Sequence, residues 1–177
     1  PYNRGLKAYQ NEIEDRLNTG ELTAEADKID SFYNSLPSIN KDGRKVFSGG
    51  GIQPNIYVKL DTIGLNHFYQ GLIKKNILID FVLEVLAERY NAAYLTSTIN
   101  SFSISDKDYI AFLKYLQWRK IPLDNKQLIR SKPLIYQNLK LLLYKYYLGE
   151  QGFYRVQNKN DNMVKEAIQS LNDVNPK

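Results

Sequence analysis

The spacing of apolar residues divides the chain into helical stretches at both ends and an extended stretch between them. Leu6, Tyr9, Ile13 and Leu17 recur at helical spacing, so they share one face of a first helix. Gly20 stands where a helix C-terminus favours glycine. A second helix is predicted after Thr23, with Ile29, Phe32, Tyr33 and Leu36 facing inward and Pro37 as its stop. Ser38 to Gly43 is polar and reads as a loop. Arg44 to Phe47 is predicted as a short strand and Ser48-Gly49-Gly50-Gly51 as a sharp turn. Beyond Ile52-Gln53-Pro54, the apolar Ile56, Val58 and Leu60 alternate with their neighbours, the two-residue period of a half-buried strand.

From Leu65 the helical period returns. Leu65 to Lys75 is one predicted helix and Ile77 to Tyr90 a stronger one, with Ile77, Phe81, Val82, Val85 and Leu86 on one face. Ala92 to Ile104 reads as loop. Ser105 with Asp108 three residues on outlines a capping box. It opens a helix over Tyr109 to Arg119, packed through Tyr109, Phe112, Leu113 and Leu116. Lys126 to Ser131 is predicted as a short helix, and Pro133 as the first turn of a longer one ending at Gly149. Gln151 to Val156 is predicted as an extended link. A last helix runs from Asp161 to Leu171, using Val164, Ala167, Ile168 and Leu171. The pattern therefore predicts a mainly α fold: a helical arm, one short β-hairpin or strand pair around the Gly-rich turn, then a C-terminal helical bundle. The regions are 1–62 and 63–177.

With 177 residues, 43% of them hydrophobic and 24% charged, the chain has globular composition and can bury a core. The net charge is +5, with 24 Lys and Arg interleaved among 19 Asp and Glu. No continuous basic stripe results, and a nucleic-acid partner is not expected. Absence of cysteine removes disulfides, thiolate metal sites and cysteine nucleophiles. No apolar run reaches the roughly 18 residues that a membrane-spanning helix needs. The sequence opens on Pro1-Tyr2, which is expected to be a trimmed start with any targeting signal upstream.

The arrangements that carry chemistry are each incomplete. His67 is the one histidine, so a Ser-His-Asp triad would have to use it and a two-histidine zinc site cannot form. Ser38-Ile39-Asn40-Lys41 has Ser-x-x-Lys spacing, which brings amine to hydroxyl when it opens a helix, but it lies in a predicted loop. Ser48 beside three glycines has the look of an anion cradle, yet a proline and a strand follow where a phosphate loop needs lysine and a helix. Acidic pairs such as Glu12 with Glu14, and Asp106 with Asp108, are two apart and do not face each other on a helix. Tyr144, Tyr146, Tyr147, Phe153 and Tyr154 form an aromatic-rich run whose ordinary role is packing. No catalytic, cofactor-binding or metal-ligating residue is assigned. Gly49, Gly50, Gly51, Ile52 and Pro54 are assigned a structural role, because glycine supplies positive φ and close approach at a tight connection.

The stretch from Gly43-Arg44-Lys45-Val46-Phe47-Ser48 through Gly49-Gly50-Gly51-Ile52-Gln53-Pro54 to Asn55-Ile56-Tyr57-Val58 resembles the region after the catalytic core of bacterial carboxyl-terminal processing (tail-specific) serine proteases. Those carry a Gly-Ile-x-Pro-Asp-Ile-x-Val element, with an enlarged Gly-Arg-x-Val-Tyr-Gly-Gly-Gly-Gly-Ile lead-in in Bacteroidetes-type members. Here Phe47 replaces Tyr, Ser48 replaces the first Gly and Asn55 replaces Asp. Pro1 to Leu22 resembles the helical insertion before that turn. Leu139 to Leu142, Gly149 to Tyr154 and Asn158 to Ala167 resemble the family's C-terminal tail, whereas 91–131 matches in helical character only. The resemblance implies peptide hydrolysis by a serine nucleophile with a lysine base, and a PDZ module, all upstream in the family's chain order. No position here inherits either catalytic role. It also implies that 1–62 is a helical insertion plus the turn and strand at the end of the protease core. The partners implied are that core and the parent's protein or peptide substrates, in the periplasm or cell envelope. No cofactor is implied.

Two other readings stand beside this one: a free-standing helical interaction or adaptor domain, and a basic, aromatic-rich binder of nucleic acid or glycan. Because a strand needs a partner, Ile56 to Leu60 is expected either to self-associate through its open edge or to pair with Arg44 to Phe47.

Overall fold

The computed structural model describes residues 15–16, 18–21, 38–39, 41, 43, 45–46 and 56–174. The chain divides into two compact units, Pro1–Thr62 and Ile63–Lys177, and its fold is mainly α.

In the first unit Asp15, Arg16 and Asn18 are helical. Gly20 follows at φ 85°, the left-handed conformation that a glycine after a helix end adopts at least cost. Arg16 holds the Glu21 carboxylate through Nε and Nη2 at 3.0 and 2.7 Å. The Tyr57 hydroxyl donates to the Glu21 carbonyl at 2.6 Å. Ser38–Ile39 (β1) pairs antiparallel with Lys45–Val46 (β2), Ser38 opposite Val46 and Ile39 opposite Lys45. Two expectations are corrected here. Ser38-Ile39 is strand rather than loop, and the partner of the Arg44 to Phe47 segment is β1 rather than Ile56 to Leu60. Residues 56–60 are a bend and irregular chain, with Ile56 49% and Leu60 40% exposed. Alternation specifies a face to bury but supplies no sheet to bury it against. Most of the first predicted helix, all of the second and the Gly49 to Pro54 turn fall outside the described residues.

Among the described residues, the regular elements of the second unit are all helical. Helix α1 (His67–Lys74) is capped by Asn66, whose side chain accepts from Tyr69 N. Asn76, at φ 58°, turns the chain into α2 (Ile77–Phe81), which runs directly into a π-helical turn, Val82–Leu86. Helix α3 (Ala92–Ser97) corrects the loop expected over Ala92 to Ile104. Helix α4 (Asp106–Trp118) opens on the expected capping box of Ser105 and Asp108.

Helix α5 (Asn125–Asn160) is the spine. It replaces the expected short helix, second helix and extended link with one element, kinked at Gly149. Leu128, Ile135, Leu139, Leu143 and Tyr144 on its first limb and Val156 on its second are buried. The stripe stays in phase across Pro133, so burial of about 1.5–3 kcal/mol per large apolar side chain outweighs the roughly 3 kcal/mol that an interior proline costs. Helices α1, α2, α3 and the π-turn all pack on α5. Around the middle of the unit, Phe81 meets Phe112 edge-on at 5.1 Å and Tyr115 at 5.3 Å. Phe102 meets Tyr144 at 5.8 Å.

Helix α6 (Asn162–Val174) begins after Asp161, whose carboxylate accepts from Met163 N and Val164 N at 2.8 and 3.2 Å. Of the predicted stripe, Ile168 and Leu171 lie 55% and 67% exposed, and Met163 beside them 52%. The moment of a helix defines an apolar face; whether this chain covers it depends on elements the periodicity does not show.

Gly149 adopts φ 65°, ψ −159°, a region open essentially to glycine alone. A Cβ there would meet nothing within 4 Å, so the requirement is one of backbone conformation. Gly149→Ala is therefore expected to destabilise the protein by about 1–3 kcal/mol, measured by urea denaturation; an unchanged midpoint would show that the kink does not need this conformation.

Candidate functional site

The polar side chains drawn into the helical unit are engaged mainly at helix ends. Asp108, 3% exposed, accepts from four donors: Arg89 Nη1 at 3.0 Å, Tyr90 OH at 2.6 Å, Ser105 N at 3.1 Å and Ser105 Oγ at 2.5 Å. This ties the start of α4 to the segment leaving the π-turn. Burial alone would raise the Asp108 pKa, but the bonds from Ser105, Tyr90 and Arg89 outweigh it and hold the carboxyl below its ordinary value. The Tyr147 hydroxyl lies within hydrogen-bond reach of Ala87 O and Tyr90 O, carbonyls left beyond the π-turn.

A second hub joins α5 to the start of the unit. Ser131, fully buried, accepts from Asn66 Nδ2 at 2.6 Å. Its hydroxyl proton lies within reach of Gly64 O at 3.0 Å and Gln127 O at 2.8 Å. Gly64 sits at φ 86°, and a Cβ there would approach Arg130 O to 2.6 Å. Ser131 thus satisfies backbone groups and is not activated by any base among the described residues.

A third group lies at the surface. Arg119 reaches Asp80 at 3.0 Å, Tyr115 OH at 2.8 Å and Glu84 at 3.6 Å. Tyr115 OH donates to Glu84 at 3.0 Å. Burial, reinforced by the Glu84 charge, pushes the Tyr115 hydroxyl up to about 12. Trp118 beside it is 68% exposed. Arg, Tyr and Trp clustered at a surface is the composition of protein-contact hot spots, although the three charges here largely satisfy one another.

The residues singled out by sequence do not converge. His67 is exposed at the start of α1. With Phe68, Gly71, Leu72, Ile77 and Pro122 it lines a largely apolar dent of about 180 Å³. Ser38 is in β1 and Lys41 in the turn after it, so the Ser-x-x-Lys spacing is not on a helix. Ser48 and Gly49, Gly50, Gly51, Ile52 and Pro54 lie outside the described residues. No group of three or more His, Cys, Asp or Glu that could hold a metal ion occurs among the described residues, and no helix there is long and apolar enough to cross a membrane.

What sequence reasoning missed is the distribution of charge. Residues 63–177 hold 16 Lys and Arg against 10 Asp and Glu, whereas residues 1–62 hold 8 against 9. The basic excess therefore belongs to the helical unit, where Lys140 and Lys159 meet at one loop, a pairing that no sequence spacing signals.

These features define a mainly α protein whose ordered polar groups maintain helix ends. Residues 68–149, from the second position of α1 to the kink of α5, match a family of unknown function (DUF8443), and the chain is similar to that family over this span. No curated protein and no solved structure matches the chain.

Asp108 gives a pH signature with a definite sign. Its folded pKa is depressed below 3.8, so the stability it contributes is present above that value and is lost as pH falls through the folded pKa. Asp108→Asn is expected to lower stability at pH 7 and to flatten its decline below about pH 4, in urea titrations across pH. An unchanged acid limb would remove Asp108 from the account.

Proposed function

We propose that this chain is a non-catalytic C-terminal segment of a carboxyl-terminal processing serine endopeptidase, in which the nucleophile and base belong to a core that precedes Gly43 in the family's chain order. One observation carries the reading beyond residue pattern. The run Ile56 to Leu60 alternates as a sheet strand does, yet it is not in a strand here, and Ile56 and Leu60 are 49% and 40% exposed. A segment patterned for a sheet and left half-exposed is suited to joining a sheet supplied elsewhere. The Gly43 to Val58 motif supports the same reading. The partners would be the protease core of the parent chain and, through it, protein or peptide substrates, with a periplasmic or cell-envelope setting.

A helical interaction module is the second reading, favoured by the exposed stripe of α6. The two separate on the coding sequence upstream of Pro1 and on activity. The protease reading expects a Ser and Lys on a protease core upstream, no hydrolysis of unfolded protein by the present chain, and hydrolysis by the longer protein. In that longer protein Ile56→Asp is expected to reduce hydrolysis, while in the present chain it shifts stability by no more than about 0.5 kcal/mol, as exposed sites do. A stop codon or unrelated domain upstream would refute the reading, as would turnover by the present chain that is lost on Ser38→Ala or Ser48→Ala.

A further inference from the structure

Two ammonium groups of one helix converge on a single short loop. Lys140 lies on the first limb of α5 and Lys159 near the end of the second. On a straight helix, 19 residues would hold them about 28 Å apart. The Gly149 kink removes that separation. Lys140 Nζ donates to Phe102 O at 2.6 Å, and Lys159 Nζ lies 3.3 Å from Asn100 O and 3.5 Å from Asn100 Oδ1. The two main-chain acceptors are two residues apart, a span of at most about 7 Å along the backbone.

Neither ammonium is in an ion pair among the described residues, whereas Arg89, Arg119, Lys132 and Lys145 are. Lys140 is half-buried, and burial followed by the Lys159 charge lowers its pKa from the ordinary lysine value. Contact with carbonyls following a helix end accounts for each lysine singly, but it uses only part of the donor capacity. An ammonium has three N–H donors. Among the described residues Lys140 has one acceptor and Lys159 two, which leaves donors on each for a ligand. Two cations at one place, neither in an ion pair among the described residues, match a doubly charged oxyanion, and phosphate groups carry nearly two charges at pH 7.

We propose that Lys140 and Lys159, brought together by the Gly149 kink at the Asn100–Phe102 loop, bind a phosphate-type dianion, either free or as the monoester group of a larger molecule. The proposal does not rest on the protease reading.

The test is thermal unfolding of the full chain titrated with inorganic phosphate at constant ionic strength, with acetate as the monoanion control and glycerol 3-phosphate as the monoester. Phosphate is expected to raise Tm saturably, as ligand linkage requires, and acetate to leave it unchanged. Lys159→Met, at an exposed position, is expected to fold normally by circular dichroism and to lose at least three-quarters of the rise; Lys126→Met is expected to retain it. Lys140→Met supplies the second arm if it folds. A response to glycerol 3-phosphate equal to that of phosphate assigns the site to monoesters, and a response to inorganic phosphate alone assigns it to the free ion. Equal shifts with phosphate and acetate, or a phosphate shift undiminished in Lys159→Met, would overturn the proposal.

Discussion

Burial of one apolar stripe along a kinked helix is the constraint on which the helical unit depends. Leu128, Ile135, Leu139, Leu143 and Tyr144 face the same interior, and α1, α2, the π-turn and α3 pack against that helix. Helix α4 reaches it through Tyr109, whose ring lies 5.1 Å from that of Tyr136, and through Asp106, which accepts from Tyr136 OH and Lys132. The other helices reach at most 13 residues, and isolated helices shorter than about 12–15 residues are marginal in water. Their persistence follows from the surface that α5 gives them to bury. The kink adds a second consequence, because it returns Val156 to the core and Lys159 to the loop that Lys140 already reaches.

The same economy of structure explains the character of the polar groups. Asp108, Ser131, Tyr147 and Asn66 each satisfy backbone groups or caps where helices begin and end, as buried polar groups must. Among the described residues, the large apolar groups left exposed include Trp118, Met163, Ile168 and Leu171 of α6, and the half-exposed Ile56 and Leu60. Exposed apolar surface of this kind is what the proposed attachment to a catalytic core would use.

Much of this was legible in the sequence where the signal is local. The Ser105 and Asp108 capping box and the faces of α2 and α4 could be read from spacing and cap chemistry. The errors arose where distant packing decides. Pro133 resembled a helix start because an interior proline is costly, and only the continuing stripe from Leu128 to Leu139 reverses that. Gly149 resembled a terminus because glycine ends helices, yet Gly152 and Val156 beyond it are buried. Helix α3 was unreadable since Leu95 is its one buried side chain, and Thr96, Ser97 and Thr98 turn their hydroxyls back to its carbonyls, a habit of poor helix formers. The alternation at Ile56 to Leu60 did not yield a strand, whereas the periodicity of α6 did yield a helix; neither pattern contains the partner that would cover its apolar face. The meeting of Lys140 with Lys159 depends on a backbone torsion at Gly149 and has no sequence spacing of its own.

The dependence of α1, α2 and α4 on α5 is tested most directly by native-state hydrogen exchange in Leu139→Ala. This substitution empties a fully buried site midway along the stripe and should cost about 2–5 kcal/mol. If α5 is the common support, the slowest amides of α1, α2, α4 and α5 lose protection by the same free energy, because they open together. Loss confined to α5, with the protection of α1, α2 and α4 unchanged, would contradict the account.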